Sequence, residues 1–387
     1  MVSKLRTALG TALVLTLIAC TGWLIARVVD PRVTDSDVAA MREHAAVTSG
    51  RQFLHDYLES DGRVLRRDEG GDVVSEGQAY GMLIAVAVGD EPRFRSIWDW
   101  TKDHLRRPDG LLSWRWADGR VTDANSAADA DVDVARSLVI AGRRFDDRQL
   151  TEDGRQLAAA VMQTETVEVG TTKTPAGTDA VPAGSAVAGL GRAMVAGNWA
   201  TAAPYVVNPG YFSPRAEDEL FAITGDRRWT DLTRTQRVLS WQLLGALPPD
   251  WVQVTDRGQA TPIEPPAGGP INFGLDAARL PVRFAESCDP EDRALAGAMR
   301  PVLTAAGDVP ALRNLDGSAA SDWQHPVALV AAAATESASD DADAAADRLD
   351  AAQTLEEKYP TYFGSAWVAL GRIMLTTSLL GDCAHPA

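Results

Sequence analysis

Helical periodicity runs through this chain almost from end to end, and it limits the fold more than any other feature. Phe94, Ile97, Trp98, Thr101 and Leu105 fall at offsets of 0, 3, 4, 7 and 11, one face of a helix. Val134, Leu138, Ala141 and Phe145 repeat the pattern. Further helical stretches cover about 36–59, 78–89, 149–162, 214–224, 227–247, 273–285, 290–305, 324–336, 340–356 and 362–380. That makes about twelve helices joined by mostly short connections. Beyond a linker at about 28–35, no Pro/Gly/Ser stretch divides them into two cores. With 45% apolar residues, the chain can bury one large domain over 36–387. Helical hairpins set in a ring and a superhelix of stacked pairs use the same pieces, so periodicity leaves both open. The pattern breaks in a Gly-, Pro- and Thr-rich segment from Val167 to Pro214, with a short helix near 184–196, and in the loop from Pro248 to Asn272. Long loops in a compact domain are where a cleft is expected. The Ala/Asp-rich stretch from Ala331 to Ala352 reads as helix with a solvated charged face.

The N-terminus speaks to location. Lys4 and Arg6 precede an apolar run from about Ala8 to Ala26, closed by Arg27. A basic segment followed by such a run is an export signal, and the run is close to the ~20 residues that span a bilayer. Residues 1–27 therefore read as a retained signal-anchor, as a lipoprotein signal with Cys20 lipidated after Leu17-Ile18-Ala19, or as a signal for simple secretion. All three place the rest of the chain outside the cytoplasm. In that compartment Cys288 and Cys383 either pair, tying the C-terminal tail to the body, or stay free thiols. CxxC pairs and clustered histidines are lacking, so no protein-built metal site is expected. The net charge of −16 excludes a nucleic-acid partner that needs a basic face.

Three segments carry acids in suggestive places. In V-V-S-E-G-Q-A-Y-G-M-L, Ser75 suits an N-cap, Glu76 sits in the first turn, and Tyr80, Leu83, Ile84 and Ala87 form an inward stripe. A first-turn Glu also simply complements the helix dipole. In T-D-A-N-S-A-A-D-A-D-V-D-V-A, four acids crowd a helix start; Asp129 and Asp133 share a face while Asp131 points elsewhere. An EF-hand loop starting at Asp129 needs Gly and Glu where Val134 and Ile140 stand, so calcium is not expected. In I-N-F-G-L-D-A-A-R, Asp276 and Arg279 lie one turn apart, which by itself fits a surface ion pair.

In order along the chain, S-E-G-Q-A-Y-G-M, W-x-W-T-K-D-H-L-R-R-P-D-G-L-L-S-W, S-A-A-D-A-D-V-D-V-A-R-S-L, N-P-G-Y-F-S-P, L-P-P-D-W-V and L-D-A-A-R together resemble glycoside hydrolase family 8. The likeness runs from about Val38 to Met374 and is strongest to the cellulases associated with bacterial cellulose synthesis. It implies an all-α (α/α)6 barrel with the cleft across one end, no cofactor, and inverting, endo-acting cleavage of β-1,4-glucan. By the same resemblance Glu76 is the general acid, Asp276 the general base, and Asp129 the carboxylate that holds the sugar at the cleavage point. Tyr211 is the tyrosine that helps position the attacking water, and Trp114, Arg279, Tyr80 and Asn125 fall at substrate-side positions. Chitosan, xylan and mixed-linkage glucan are the alternative substrates. A membrane-anchored, catalytically degenerate glycan-binding partner of the cellulose-synthesis machinery is the alternative from another class. The chain departs from the family pattern at Ala128, Val134 and Leu275, the last where many relatives carry an aromatic residue. Inverting hydrolysis needs a protonated carboxyl and an ionised one ~6.5–9.5 Å apart, so burial or a nearby ionised Asp129 must raise Glu76. Of the many tryptophans, Trp98 lies on an apolar face and reads as core, while Trp114 reads as a sugar platform.

Overall fold

The computed structural model describes residues 34–170, 190–245, 247–305, 307 and 309–383. The N-terminal apolar run and Cys20 lie outside them; among the described residues no helix is long and apolar enough to cross a membrane. The chain divides into two compact units, residues 1–41 and 42–387. In the first, the described residues open α1 (Asp35–Tyr57). Thr34 Oγ1 accepts the Asp37 N–H at 3.2 Å and Asp37 Oδ2 accepts the Thr34 N–H at 2.9 Å, a reciprocal cap.

The second unit holds the rest of α1 and eleven further helices of eight residues or more among the described residues. They are α2 (Ser75–Ala87), α3 (Glu91–Leu105), α4 (Ala128–Arg144), α5 (Arg148–Thr164), α6 (Pro214–Thr224), α7 (Arg228–Leu243), α8 (Arg279–Glu286), α9 (Pro290–Ala298), α11 (Pro326–Ala338), α12 (Ala342–Lys358) and α13 (Tyr362–Thr376), with the single turn α10 (Arg300–Leu303) after α9. Six of them close a ring: α2 packs on α4, α4 on α6, α6 on α8, α8 on α11, α11 on α13, and α13 back on α2. Outside lie α3, α5, α7, α9 and α12, each packed on the inner helix it follows. The sixth outer place belongs to α1, whose Gly50 faces Val88, Ile84 and Ile373. This is an (α/α)6 barrel, and of the two arrangements that periodicity allows, the closed ring is the one formed.

Composition explains which helices go inside. Every residue of α2 but Glu76 is buried, as are Pro326 to Glu336 of α11. A helix apolar all round has to be surrounded. By contrast α3 buries Phe94, Ile97, Trp98, Trp100, Thr101 and Leu105 and exposes its opposite face, so it fits the outer layer. Gly154 allows α5 to approach α4 closely: a Cβ there would lie 2.9 Å from the Ala135 carbonyl oxygen.

Short strands decorate the connections into the inner helices. β1 (Val73–Val74), β2 (Arg115–Ala117) and β3 (Arg120–Asp123) form one antiparallel sheet, with Val73 opposite Trp116. β4 (Thr166–Glu168) pairs with β5 (Arg192–Met194), and β6 (Tyr205–Val207), β7 (Val252–Val254) and β8 (Ala260–Pro262) make a third sheet. These strands carry too few residues to show a period in the sequence.

Four expectations need correction. The helix near 184–196 lies partly outside the described residues, and in its described part Arg192–Met194 is strand, paired through Val167 opposite Ala193. The helix placed at 273–285 starts only at Arg279, because Asp250 Oδ1 takes the Gly274 and Ala277 N–H groups and holds that segment as a turn. The stretch 290–305 breaks after Ala298, where Pro301 has no N–H to continue the ladder. Ser75 is the first helical residue rather than the cap; Val74 takes that place, and Ser75 Oγ is buried without a hydrogen-bond partner among the described residues.

Candidate active site

The inner helices all bring their N-termini to one end of the ring. Glu76 is the second residue of α2, Asp129 the second of α4, Arg279 the first of α8 and Tyr362 the first of α13. Tyr211 stands three residues ahead of α6, in a single 3-10 turn opened by Asn208 and Pro209. These side chains meet, although they come from positions as far apart in sequence as Glu76 and Tyr362.

Arg279 is the hub. Its Nη1 donates to Asp129 Oδ2 at 2.7 Å, to Glu76 Oε2 at 3.1 Å and to Tyr80 Oη at 3.1 Å. Its Nη2 donates to Asp276 Oδ1 at 2.8 Å. The residue is only 1% exposed, which makes it the buried counter-ion of three carboxylates. It is not the surface ion pair that its spacing suggests. The Tyr211 ring lies over the guanidinium at 5.0 Å and Phe363 lies 5.9 Å from it.

Each carboxylate has its own setting. Glu76 Oε1 accepts from Tyr362 Oη at 3.2 Å. Burial pushes Glu76 up to about 7; Arg279 opposes this, Asp129 and Asp276 reinforce it, and the Tyr80 hydrogen bond opposes it again. Burial therefore outweighs the helix N-terminus, which favours the charged form. Asp129 is also raised, by burial against the pull of Arg279, and its Oδ1 accepts the Ala130 N–H at 2.9 Å. Asp276 is the most open of the three, with 32% of its side chain exposed, and its Oδ2 accepts from Asn208 Nδ2 at 3.0 Å. Beneath it Asp250 is pushed up to about 7, by burial first and by the Asp276 charge second.

The residues expected on the substrate side spread more widely. Tyr80 is buried and also accepts from Trp367 Nε1 at 3.2 Å, so it supports Arg279 from below. Trp114 is half-buried beside the start of α2, with its carbonyl accepting the Ser75 N–H at 2.9 Å and its N–H donating to the Asn125 carbonyl at 2.7 Å. Asn125 is exposed, and its hydrogen bonds run through its backbone. Leu275 is half-buried against the core. Trp98 is core, as its periodicity indicates, and donates to Asp153.

Tyr362, Asn208 and Asp250 join the cluster without having been singled out from the sequence. Asn208 and Asp250 stand inside the quoted N-P-G-Y and P-P-D-W segments, whereas Tyr362 has only its place at a helix start to mark it. At the far end of α8 from the site, Cys288 and Cys383 form a disulfide, and Arg215 Nη1 lies 2.6 Å from Cys288 Sγ.

Comparison with known proteins fits this geometry. The model of the glycosyl hydrolases family 8 matches residues 26–368. A probable endoglucanase of Novacetimonas hansenii is 31% identical over 60% of this chain and 64% of its own length. The endoglucanase of Escherichia coli K12 is 32% identical over 56% of this chain and 57% of its own. The chain thus spans less than two thirds of the length of these curated relatives. Among solved structures, the endo-beta-1,4-glucanase CMCax from Acetobacter xylinum superposes with a TM-score of 0.70 at 26% identity, over 86% of this chain and 98% of that one.

Proposed function

This chain belongs to the glycosyl hydrolases family 8, and on that premise we propose that it is an inverting, endo-acting hydrolase of β-1,4-glucan working outside the cytoplasm. The observation that carries the proposal is the Arg279 hub. It sets a carboxyl raised to about 7, Glu76, opposite a more open carboxylate, Asp276, across one guanidinium. A guanidinium and two hydrogen bonds between two carboxyls suit the ~6.5–9.5 Å that an inverting pair needs for its water.

The roles follow from protonation and exposure. Glu76 keeps its proton near neutral pH and gives it to the glycosidic oxygen as that bond breaks. Water attacks the anomeric carbon from the opposite face and loses its proton to Asp276, held by Arg279 and Asn208. Asp129 supports the sugar at the cleavage point, and Tyr211, lying on the Arg279 guanidinium, helps hold the water. Once product leaves, the proton returns from Asp276 to Glu76 through solvent. The endoglucanase names of the relatives support β-1,4-glucan as substrate.

A basic then apolar N-terminus and the Cys288–Cys383 disulfide support an oxidising, extracytoplasmic location, with residues 1–27 as membrane anchor or export signal. Attachment there would place the enzyme beside newly made cellulose and the machinery that makes it.

Reducing-end release by the purified protein on carboxymethylcellulose, mixed-linkage glucan, xylan and chitosan tests the reading, with Glu76→Gln beside it. Release is expected on β-glucan, with a fall of at least about 10²-fold in the variant. Inactivity of a folded parent on every substrate, or near-parental activity of Glu76→Gln, would refute it.

A further inference from the structure

We propose that Trp323 is a glucan-stacking platform at the outer end of the cleft; this rests on the reading of the protein as a β-glucanase. The indole is 46% exposed, a large apolar surface left in water. A single exposed tryptophan needs no explanation in itself. What singles this one out is its position at the reactive end of the barrel and the rings that connect it to the cleavage point.

Trp323 lies two residues before His325, the residue that caps α11, one of the six inner helices. Its frame is fixed. The Trp323 carbonyl accepts the Ala311 N–H at 2.9 Å and the Ser321 hydroxyl at 3.1 Å. Arg313, on the same loop, exchanges two backbone hydrogen bonds of 3.0 Å with Phe273, three residues ahead of Asp276. The loop is therefore built onto the segment that carries the base.

From Trp323 the rings lead inward. Its indole meets His325 edge-on at 6.3 Å, and His325 meets Phe363 at 6.1 Å. Phe363 is half-buried and touches both Tyr80, at 6.4 Å, and the Arg279 guanidinium. His325 does not swing: Nδ1 accepts the Val327 N–H and Nε2 bonds Thr361 Oγ1, each at 3.2 Å. On the other side of Arg279, Tyr211 meets Trp251 at 6.1 Å. Aromatic rings thus run outward from Arg279 in two directions, and Trp323 is the exposed end of one. Trp241, 51% exposed, belongs instead to the outer helix α7.

A β-linked glucose chain suits an exposed indole held by a buried His325 in this way, because pyranose rings present C–H faces that stack on aromatic surfaces while their hydroxyls stay in water. Trp323 then contributes only when the substrate is long enough to reach it. It is a determinant of chain-length preference, remote from the bond that breaks.

The test uses this whole chain with cellotriose, cellotetraose, cellopentaose and cellohexaose, comparing the parent with Trp323→Ala and Trp323→Tyr. In the parent kcat/KM should climb with chain length. Trp323→Ala should lose about five- to tenfold on the longest substrates, chiefly through KM, the worth of one aromatic contact, with a smaller loss on the shortest. Trp323→Tyr should recover most of that. An unchanged climb in Trp323→Ala, or an equal loss at every length, would overturn the platform. Calorimetry of cellohexaose binding to Glu76→Gln, with and without Trp323→Ala, separates the two readings. Binding without cleavage by the parent sinks the glucanase reading while the affinity difference still decides Trp323. A parent that neither binds nor cleaves sinks both.

Discussion

Asp129 is bound to Arg279 at 2.7 Å with both side chains almost wholly withdrawn from water, and both act on Glu76, which burial raises first. Asp129 raises Glu76, and Arg279 lowers it. In Asp129→Asn the first influence goes and the arginine is left less neutralised. The alkaline limb of kcat/KM, which reports the general acid, should move to lower pH, and kcat should fall by about 10²-fold or more. A limb that stays in place or moves upward in pH–rate profiles would contradict this account.

Tyr362 acts on the same carboxyl in the opposite sense. Its hydroxyl donates to Glu76 Oε1 at 3.2 Å, which favours the charged form. Tyr362→Phe should therefore move the alkaline limb to higher pH. The pair of variants brackets the parent, and finding both limbs displaced in one direction would rule out opposed control.

Arg279 itself is predicted to matter for folding as much as for catalysis. Removing it leaves three carboxylates facing one another in a mostly buried place. Arg279→Met should lose about 3–5 kcal/mol at neutral pH in denaturant melts, and a loss under about 1 kcal/mol would mean that the carboxylates do not need it.

The stability of the barrel should decline with rising pH. Glu217, fully buried in α6 between Thr233 and Gln236, is pushed by burial from 4.5 to about 8, and Glu165 likewise to about 8. Across that interval the folded chain holds protons that the unfolded chain has released, so stability is greatest on the acid side and falls as pH rises toward 8. Glu217→Gln removes one such proton, and thermal melts between pH 5 and 8.5 should show a shallower decline than the parent (about one proton less in the slope). An unaltered slope would show that Glu217 is not the group responsible.

The disulfide closes a sequence separation of 95 residues and holds the end of the chain against the junction of α8 and α9. Cys383→Ser should cost about 2–5 kcal/mol in chemical denaturation, without displacing the pH–rate profile, since the bridge lies at the opposite end of α8 from Asp276.

How much of this could be read beforehand depended on the range of the signal. Helices announced themselves, since Phe94 to Leu105 or Val134 to Phe145 repeat an apolar face over several turns. Closure of the ring did not, because α13 meets α2 across nearly the whole chain and no local pattern records it. The family motifs brought Glu76, Asp129, Asp276 and Tyr211 into view, and the fold gathers them around one guanidinium. Arg279 was visible as a partner of Asp276 alone; its other bonds reach residues 150 and more positions away. Tyr362 escaped for the same reason, and Asp250 because its two bonds go to backbone N–H groups, which a sequence does not display. The strands were lost to their shortness.

The convergence of the inner-helix N-termini has a consequence for how activity is gained. Glu76, Asp129, Arg279 and Tyr362 are each supplied by a different sixth of the ring, so no fragment carries even a weakened version of the site. Turnover should appear only once the ring is closed, with α13 against α2, and vanish when it opens. Hydrolysis is thereby a reporter of ring closure.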